Sequence, residues 1–225
     1  MSIKLFAIWL IACAITVSGC SPSMLPVHIK NVAKNNLDIV AETSVKNTSD
    51  QLLQLTLELY RLNPKELDKV KNMTLQSRTT QIIEYPTTVA YKELNYKQDI
   101  EAIRLALTPS YRGDRVFALM IGISSMLDNA YNNQKEFYVI DRLNPQKLYD
   151  SSINLDLVYI IFLKQDADNS LLKTNDEENP YQVYALLNKI STIQEFTANL
   201  VSDHSGRIIN RTLKGVATVF MPIGL

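Results

Sequence analysis

The sequence predicts an all-α protein, built as a multi-helix bundle or helical array of six to eight helices. Apolar residues recur every three to four positions through most of the 225 residues, which is the period of an amphipathic helix. Prolines and short polar clusters separate these segments, and no Gly/Ser/Pro-rich linker follows residue 26. The hydrophobic share of 46% is enough for a core, and 23 basic against 23 acidic residues give no net charge that favours nucleic acid.

The first 70 residues contain three predicted helical segments. Apolar residues between Ile29 and Val40 share one face of a weak helix, and a second helix spans residues 52–62 after an N-cap cluster at Thr48-Ser49-Asp50. Leucines alternate within the second segment, so a strand remains an alternative there. Pro64 suits the first turn of a short helix that runs to Val70.

The middle of the chain combines an irregular stretch with two clear helices. Residues 76–93 have the weakest periodicity and are predicted to be loop or short strand. A helix from Ile100 to Leu107 follows, and it ends before Pro109. Residues 116–127 are apolar on nearly every face, which is typical of a helix buried in a core, and Asp114 is placed to cap it.

The last third of the chain is predicted to contain two or three helices. Asn144 caps a helix that Pro145 begins and that runs to about Lys164. Pro180 begins another, which Ser205-Gly206 can close. Apolar residues from Ile209 to Phe220 suggest a final helix or a packed tail before Pro222.

The first twenty residues have the pattern of an export signal. Lys4 precedes an apolar run from Leu5 to Val17, which is too short to span a bilayer. The run ends in Val17-Ser18-Gly19-Cys20, which resembles the lipobox of bacterial lipoproteins. That resemblance implies cleavage before Cys20 by signal peptidase II and acylation of Cys20. The alternatives are an ordinary secretory signal or a buried helix that happens to end in Gly-Cys.

The resemblance also sets the expected organisation and location of the chain. Residues 1–19 are expected to be a signal peptide, 20–26 a lipidated tether and 27–225 a single helical domain. Cys20 is then the only cysteine of the mature chain, because Cys13 lies in the signal peptide. Two or three acyl chains hold a protein on a membrane essentially permanently. Ser21 follows the cysteine, which by the family's sorting rule predicts the outer membrane, facing the periplasm.

A second resemblance covers the middle of the chain. Arg104–Met120, Tyr131-Asn132-Asn133 and Asn144–Tyr149 are similar to a proteobacterial lipoprotein family without an assigned activity. It implies no catalytic residues.

The candidate interface residues lie in and just after the irregular stretch. Tyr91 and Tyr96 belong to a cluster of tyrosines there, and Arg112 and Arg115 follow it. Tyrosine and arginine are enriched at protein interfaces, because both combine contact area with polar groups. Two alternatives stay open: tyrosines half-buried on the sides of helices, and arginines that bridge Asp128 or Asp141 within the fold.

The best candidate for a metal site is an acidic connection between helices. Asp166, Asp168, Ser170 and Glu177 occupy positions 1, 3, 5 and 12 of a twelve-residue calcium loop, but Leu171 stands where the sharp turn needs glycine. The preferred interpretation is a solvated acidic loop, and neither a metal nor a cofactor is expected. No nucleotide-binding or catalytic motif is present, and the two histidines are far apart in the sequence.

These observations favour a non-enzymatic lipoprotein of the outer membrane. Its expected role is an accessory or scaffold subunit of an envelope complex for assembly or secretion, with an envelope protein as partner and without nucleic acid. The alternative is a lipid-anchored enzyme or carrier that acts on a small envelope substrate.

Overall fold

A computed structural model describes residues 36–138, 143–164, 171 and 180–211. Within these ranges the chain forms seven α-helices and no strand, so the predicted all-α fold of six to eight helices is confirmed. All described residues belong to one compact unit, Lys34–Leu225. The helices are α1 Asn36–Leu62, α2 Pro64–Asp68, α3 Leu75–Glu84, α4 Asp99–Leu107, α5 Arg115–Ala130, α6 Pro145–Lys164 and α7 Tyr181–Ser205.

Helix α1 corrects the prediction that a helix begins after Thr48-Ser49-Asp50. The helix runs without a break for 27 residues, and Thr48 is buried inside it. Its hydroxyl accepts a hydrogen bond from Nε2 of Gln194 on α7 at 3.0 Å. Tertiary contact with α7 therefore satisfies the polar side chain that the sequence suggested as a cap. The strand alternative for the leucines is wrong, since Leu55 and Leu59 are buried on one face of this helix.

Helix α3 corrects part of the prediction of loop or short strand over residues 76–93. Residues 76–84 are helical, whereas residues 85–91 form a loop as predicted. Thr74 caps α3 by accepting a hydrogen bond from the backbone N–H of Ser77 at 3.1 Å. Arg78 and Ile82 are its buried residues, and Leu75 and Ile83 pack partly buried against the core. Because an arginine takes the place of an apolar residue on this inner side, the apolar pattern in the sequence is weak. A single 3-10 turn, Lys92–Leu94, follows in the connection to α4.

Several local predictions are confirmed by hydrogen bonds. Asp114 caps α5 by accepting from the backbone N–H of Phe117 at 2.8 Å, and Asn144 accepts from the backbone N–H of Gln146 at 2.9 Å. Gly206 ends α7 in the left-handed region, with φ of 67°. The predicted final helix or tail continues into residues 212–225, which lie outside the described residues.

Helix α5 is the centre of the fold, because thirteen of its sixteen residues are buried and α1, α3, α4 and α6 pack around it. Gly122 allows α4 to cross α5 closely. A Cβ atom at Gly122 would lie 2.7 Å from the backbone N of Ile103 and 2.8 Å from the backbone O of Asp99. Among the described helices, none is both long and apolar enough to span a membrane.

Candidate protein-interaction surface

The connection between α3 and α4, residues 85–98, exposes three large apolar side chains within twelve residues. Tyr85 is 48% exposed, Val89 41% and Tyr96 63%. We name these three residues the loop surface. Other exposed apolar side chains of the described residues lie mostly along regular helices, whereas these stand on irregular backbone. These three side chains are close together in the sequence, and exposed apolar residues that are grouped mark interaction sites more often than isolated ones do.

Tyr91 fixes the middle of the connection to the core. It is 8% exposed, and its ring meets the edge of Phe117 with ring centroids 5.0 Å apart. Its hydroxyl donates to the backbone carbonyls of Gln81 at 3.3 Å and Tyr85 at 3.4 Å. Burial raises the pKa of Tyr91 to about 12, so the hydroxyl stays protonated and donates at physiological pH. Tyr91 is therefore a buried anchor of the loop rather than a contact for a partner.

Arg78 joins the connection to the buried core. Its side chain has no exposure to solvent, and its guanidinium donates to both carboxylate oxygens of Glu93 at 2.7 Å. The same guanidinium lies 3.8 Å from the ring centroid of Phe117, in a cation–π contact. Burial acts to lower the pKa of Arg78, but the hydrogen bond to Glu93 and the charges of Asp114 and Glu93 outweigh it and raise that pKa. Arg78 is thus a buried cation that joins α3 to the 3-10 turn.

Asp114 completes this buried network. Its Oδ2 lies 3.2 Å from Nε of Arg78 and accepts a hydrogen bond from the hydroxyl of Tyr60 at 2.7 Å. Burial raises the pKa of Asp114 to about 6, against the hydrogen bonds from Phe117 and Tyr60 and the charge of Arg78, which lower it. At pH 7 the carboxyl group is therefore mostly ionised and balances the charge of Arg78. The network links α1, α3, the 3-10 turn and α5.

The backbone of the connection is held in an unfavourable conformation. Asn95 and Tyr96 in the connection, and Asp99 at the start of α4, have φ values of 53°, 61° and 49°. These lie in the left-handed region that costs a residue other than glycine about 1 kcal/mol or more. Asp99 is restrained by Asn129, whose Nδ2 donates to both of its carboxylate oxygens at 3.0 and 2.8 Å. Strain of this kind persists only where surrounding contacts determine the backbone.

A side chain at the end of the connection ties its two halves together. Nε2 of Gln98 donates to the carbonyls of Pro86 and Thr87 at 3.2 Å and of Val89 at 3.4 Å. Leu94, in the 3-10 turn of the same connection, is fully buried. The loop surface is therefore pre-organised: a partner would meet Tyr96 and Val89 in a conformation that the protein already maintains, which reduces the entropy lost on binding.

The four interface residues predicted from sequence have different roles. Tyr96 and Arg112 are exposed, and Arg112 has no ion pair within the part of the chain that the structure describes. The prediction is wrong for Tyr91, which is buried for the reasons given above.

Arg115 is a structural residue rather than an exposed anchor. Its backbone N–H donates to Oε2 of Glu66 at 2.6 Å, and its Nε donates to the carbonyl of Ala106 at 2.7 Å. It does not bridge Asp128, which lies thirteen residues, or about 20 Å, farther along α5 and accepts from Thr87 instead. The other suggested carboxylate, Asp141, lies outside the described residues.

Two other predicted sites lie outside, or almost wholly outside, the described residues. Cys20 lies outside the described residues, and so does the acidic loop from Asp166 to Glu177 apart from Leu171, which is buried. Among the residues that are described, no three His, Cys, Asp or Glu side chains are grouped as metal ligands would be.

No protein-family model, curated protein or solved structure matches this chain. The fold class is therefore established by the helices themselves, and the lipoprotein resemblance stays a prediction from residues 17–20 and the central motifs.

Proposed function

We propose that this protein is a non-enzymatic lipoprotein, an accessory or scaffold subunit of a complex in the bacterial cell envelope. Acyl chains on Cys20 anchor it to the outer membrane on the periplasmic side, and an envelope protein binds to the loop surface. The observation that carries the proposal is the set of exposed side chains Tyr85, Val89 and Tyr96 on a connection that buried contacts hold in place.

The residue types of the loop surface are suited to binding a protein partner. Tyrosine contributes a large contact area and loses little side-chain entropy on binding, and each interface hot spot contributes about 2 kcal/mol or more. Contacts from Arg78, Tyr91 and Gln98 hold the loop in place. In this conformation the backbone at Tyr96 is strained. A rigid, partly apolar loop of this kind is useful where its shape must match a second surface.

Anchoring adds to this affinity without any additional contact. A protein held on a membrane meets other components of that membrane at a high effective concentration. A loop surface with only three large side chains can therefore support a stable complex in the envelope.

The anchor is tested by changing Cys20 to Ala. The variant should lose palmitate labelling and leave the membrane fraction, while the Cys13→Ser variant should keep both. Retention of the Cys20→Ala protein after a carbonate wash would contradict the lipid anchor.

The partner surface is tested in intact cells with a photo-crosslinking amino acid at Tyr96. We expect a discrete crosslinked band with an envelope protein, and no such band when the same amino acid replaces Leu53, which is 39% exposed on the regular surface of α1. A band from position 53 alone, or from neither position, would contradict the assignment. A bound small molecule in place of a protein would favour the enzyme or carrier alternative.

A further inference from the structure

A cavity opens beside the loop surface, between α1, α3, α5 and the first residues of the connection to α4. Pro86, which directly follows Tyr85 of the loop surface, is buried in its wall. Water-sized groups have about 50 Å³ of space in this cavity. That space suits the end of one side chain, whereas cofactor sites are several times larger.

The wall of the cavity is largely apolar. Five apolar residues contribute to it: Val45, Leu52, Ile83, Pro86 and Leu127. Two hydroxyl groups of the wall already have partners within the fold, since Ser124 donates to the carbonyl of Ile82 at 2.7 Å and Thr48 accepts from Gln194. The cavity can therefore hold the aliphatic part of a side chain.

Asp128 contributes a half-buried carboxylate to the same wall. Its Oδ2 accepts a hydrogen bond from the hydroxyl of Thr87 at 2.9 Å, and Oδ1 has no hydrogen-bond or ion-pair partner among the residues that the structure describes. The cation on the rim, Lys135, lies 3.6 Å from Glu84 instead. A carboxylate that is partly withdrawn from water favours a cation beside it.

Asp99 adds to the negative charge near the cavity. Burial raises the pKa of Asp99, and the charge of the nearby Asp128 contributes to that rise. The carboxylate of Asp99 accepts from the neutral amide of Asn129, so that hydrogen bond brings no positive charge. A cation in the cavity would therefore be attracted by two carboxylates.

We propose that the cavity receives a basic side chain, arginine or lysine, of the envelope protein that binds the loop surface. The charged end pairs with Asp128, and the aliphatic part lies against Leu52, Ile83 and Pro86. This assignment rests on the proposed function, because the same partner contacts Tyr85 and Tyr96. The apolar walls together with one carboxylate match a basic side chain better than an acidic or a purely apolar one.

Crosslinking in intact cells tests which group occupies the cavity. The photo-crosslinking amino acid replaces Lys135, whose side chain is 61% exposed on the rim, and in a separate chain it replaces Tyr96. We expect both positions to capture the same envelope protein. Mass spectrometry should place the link from position 135 at or next to an arginine or lysine of that protein. A link within the same chain, or to a second copy, would assign the cavity to that segment and overturn the inference.

A charge variant measures the ion pair. Asp128→Asn keeps an oxygen that can accept from Thr87 and removes the negative charge. Recovery of the crosslinked protein by co-purification from membranes should fall at least about tenfold, which corresponds to about 1.4 kcal/mol. Asp50→Asn is the matched control, since it removes a carboxylate from the exposed surface of α1 and should leave the recovery unchanged. Asp128→Arg should abolish recovery, and changing the partner's mapped basic residue to Glu should restore it.

The outcomes separate this inference from the proposed function. Absence of a crosslinked envelope protein at Tyr96 would overturn both. Capture at Tyr96, combined with undiminished recovery of the folded Asp128→Asn chain, would overturn the ion pair alone. Should thermal unfolding show that Asp128→Asn does not fold, the position mapped from residue 135 in the otherwise unchanged chain decides, and a link remote from any arginine or lysine contradicts the assignment.

Discussion

Arg78 donates to both carboxylate oxygens of Glu93 at 2.7 Å, from a side chain that has no exposure to solvent. The two residues are fifteen positions apart, on α3 and on the 3-10 turn. Because Phe117 and Asp114 hold the same guanidinium from α5, this pair fastens the loop surface to the central helix. The proposed interface therefore depends on an ion network in which Arg78 and Asp114 are fully buried and Glu93 is partly exposed.

Removing Arg78 should destabilise the fold strongly. Arg78→Met leaves Glu93 and the buried Asp114 without their cation, and breaking a buried pair in this way typically costs about 3–5 kcal/mol. Arg104→Met is the matched control, since Arg104 pairs with Glu101 on an exposed helix surface and such pairs contribute about 0–1 kcal/mol. Urea denaturation of both variants measures the difference, and equal losses would contradict the structural role of Arg78.

The raised pKa of Asp114 predicts a pH dependence of stability. A carboxyl group with a pKa of about 6 in the fold and about 4 when unfolded binds a proton more tightly in the fold. Its contribution to the free energy of unfolding is therefore fully present below pH 4 and is lost as the pH rises through 6. Relative to Asp114→Asn, the wild-type chain should gain about 1 kcal/mol between pH 7 and pH 5.

Denaturation at both pH values checks this difference. Burial also raises the pKa of Asp99 and Asp156, so the comparison with the single variant is needed to isolate Asp114. A wild-type chain that loses stability relative to Asp114→Asn as the pH falls would show that the sign is wrong.

Two substitutions at Tyr91 distinguish the contribution of ring packing to stability from that of hydrogen bonding. Tyr91→Ala should cost about 3–5 kcal/mol, because it removes a buried ring that contacts Phe117. Tyr91→Phe keeps the ring and loses only two long hydrogen bonds, so it should cost about 1 kcal/mol. Thermal unfolding of the two variants distinguishes them, and similar losses would mean that the hydroxyl rather than the ring holds the loop.

Much of the fold could be predicted from local patterns. Helix α4 has apolar residues at helical spacing, and α5 is apolar on nearly every face. Asp114, Asn144 and Gly206 act locally as caps, so their roles follow from neighbouring residues. These are the features for which sequence and structure agree.

The remaining features depend on partners far away in the sequence. Thr48 is polar inside α1 because Gln194, 146 positions later, donates to it. No sequence pattern indicated that Arg78 is buried, because its burial depends on Glu93 and Asp114 together. The tyrosine-rich stretch contains both a buried and an exposed tyrosine, Tyr91 and Tyr96. Their alternation on irregular backbone has no period, so the sequence pattern could not distinguish the two.

Co-purification from membranes tests the central claim most directly. Tyr85→Ser, Val89→Ser and Tyr96→Ser together remove the loop surface, and Leu53→Ser with Leu57→Ser removes similarly exposed side chains from α1. All five positions are exposed, so the free energy of unfolding should change little in either variant. We predict that the amount of recovered envelope protein falls more than about tenfold for the loop variant alone, since tenfold needs only 1.4 kcal/mol. Undiminished recovery with the loop variant, or an equal loss with the control, would contradict the proposed interface.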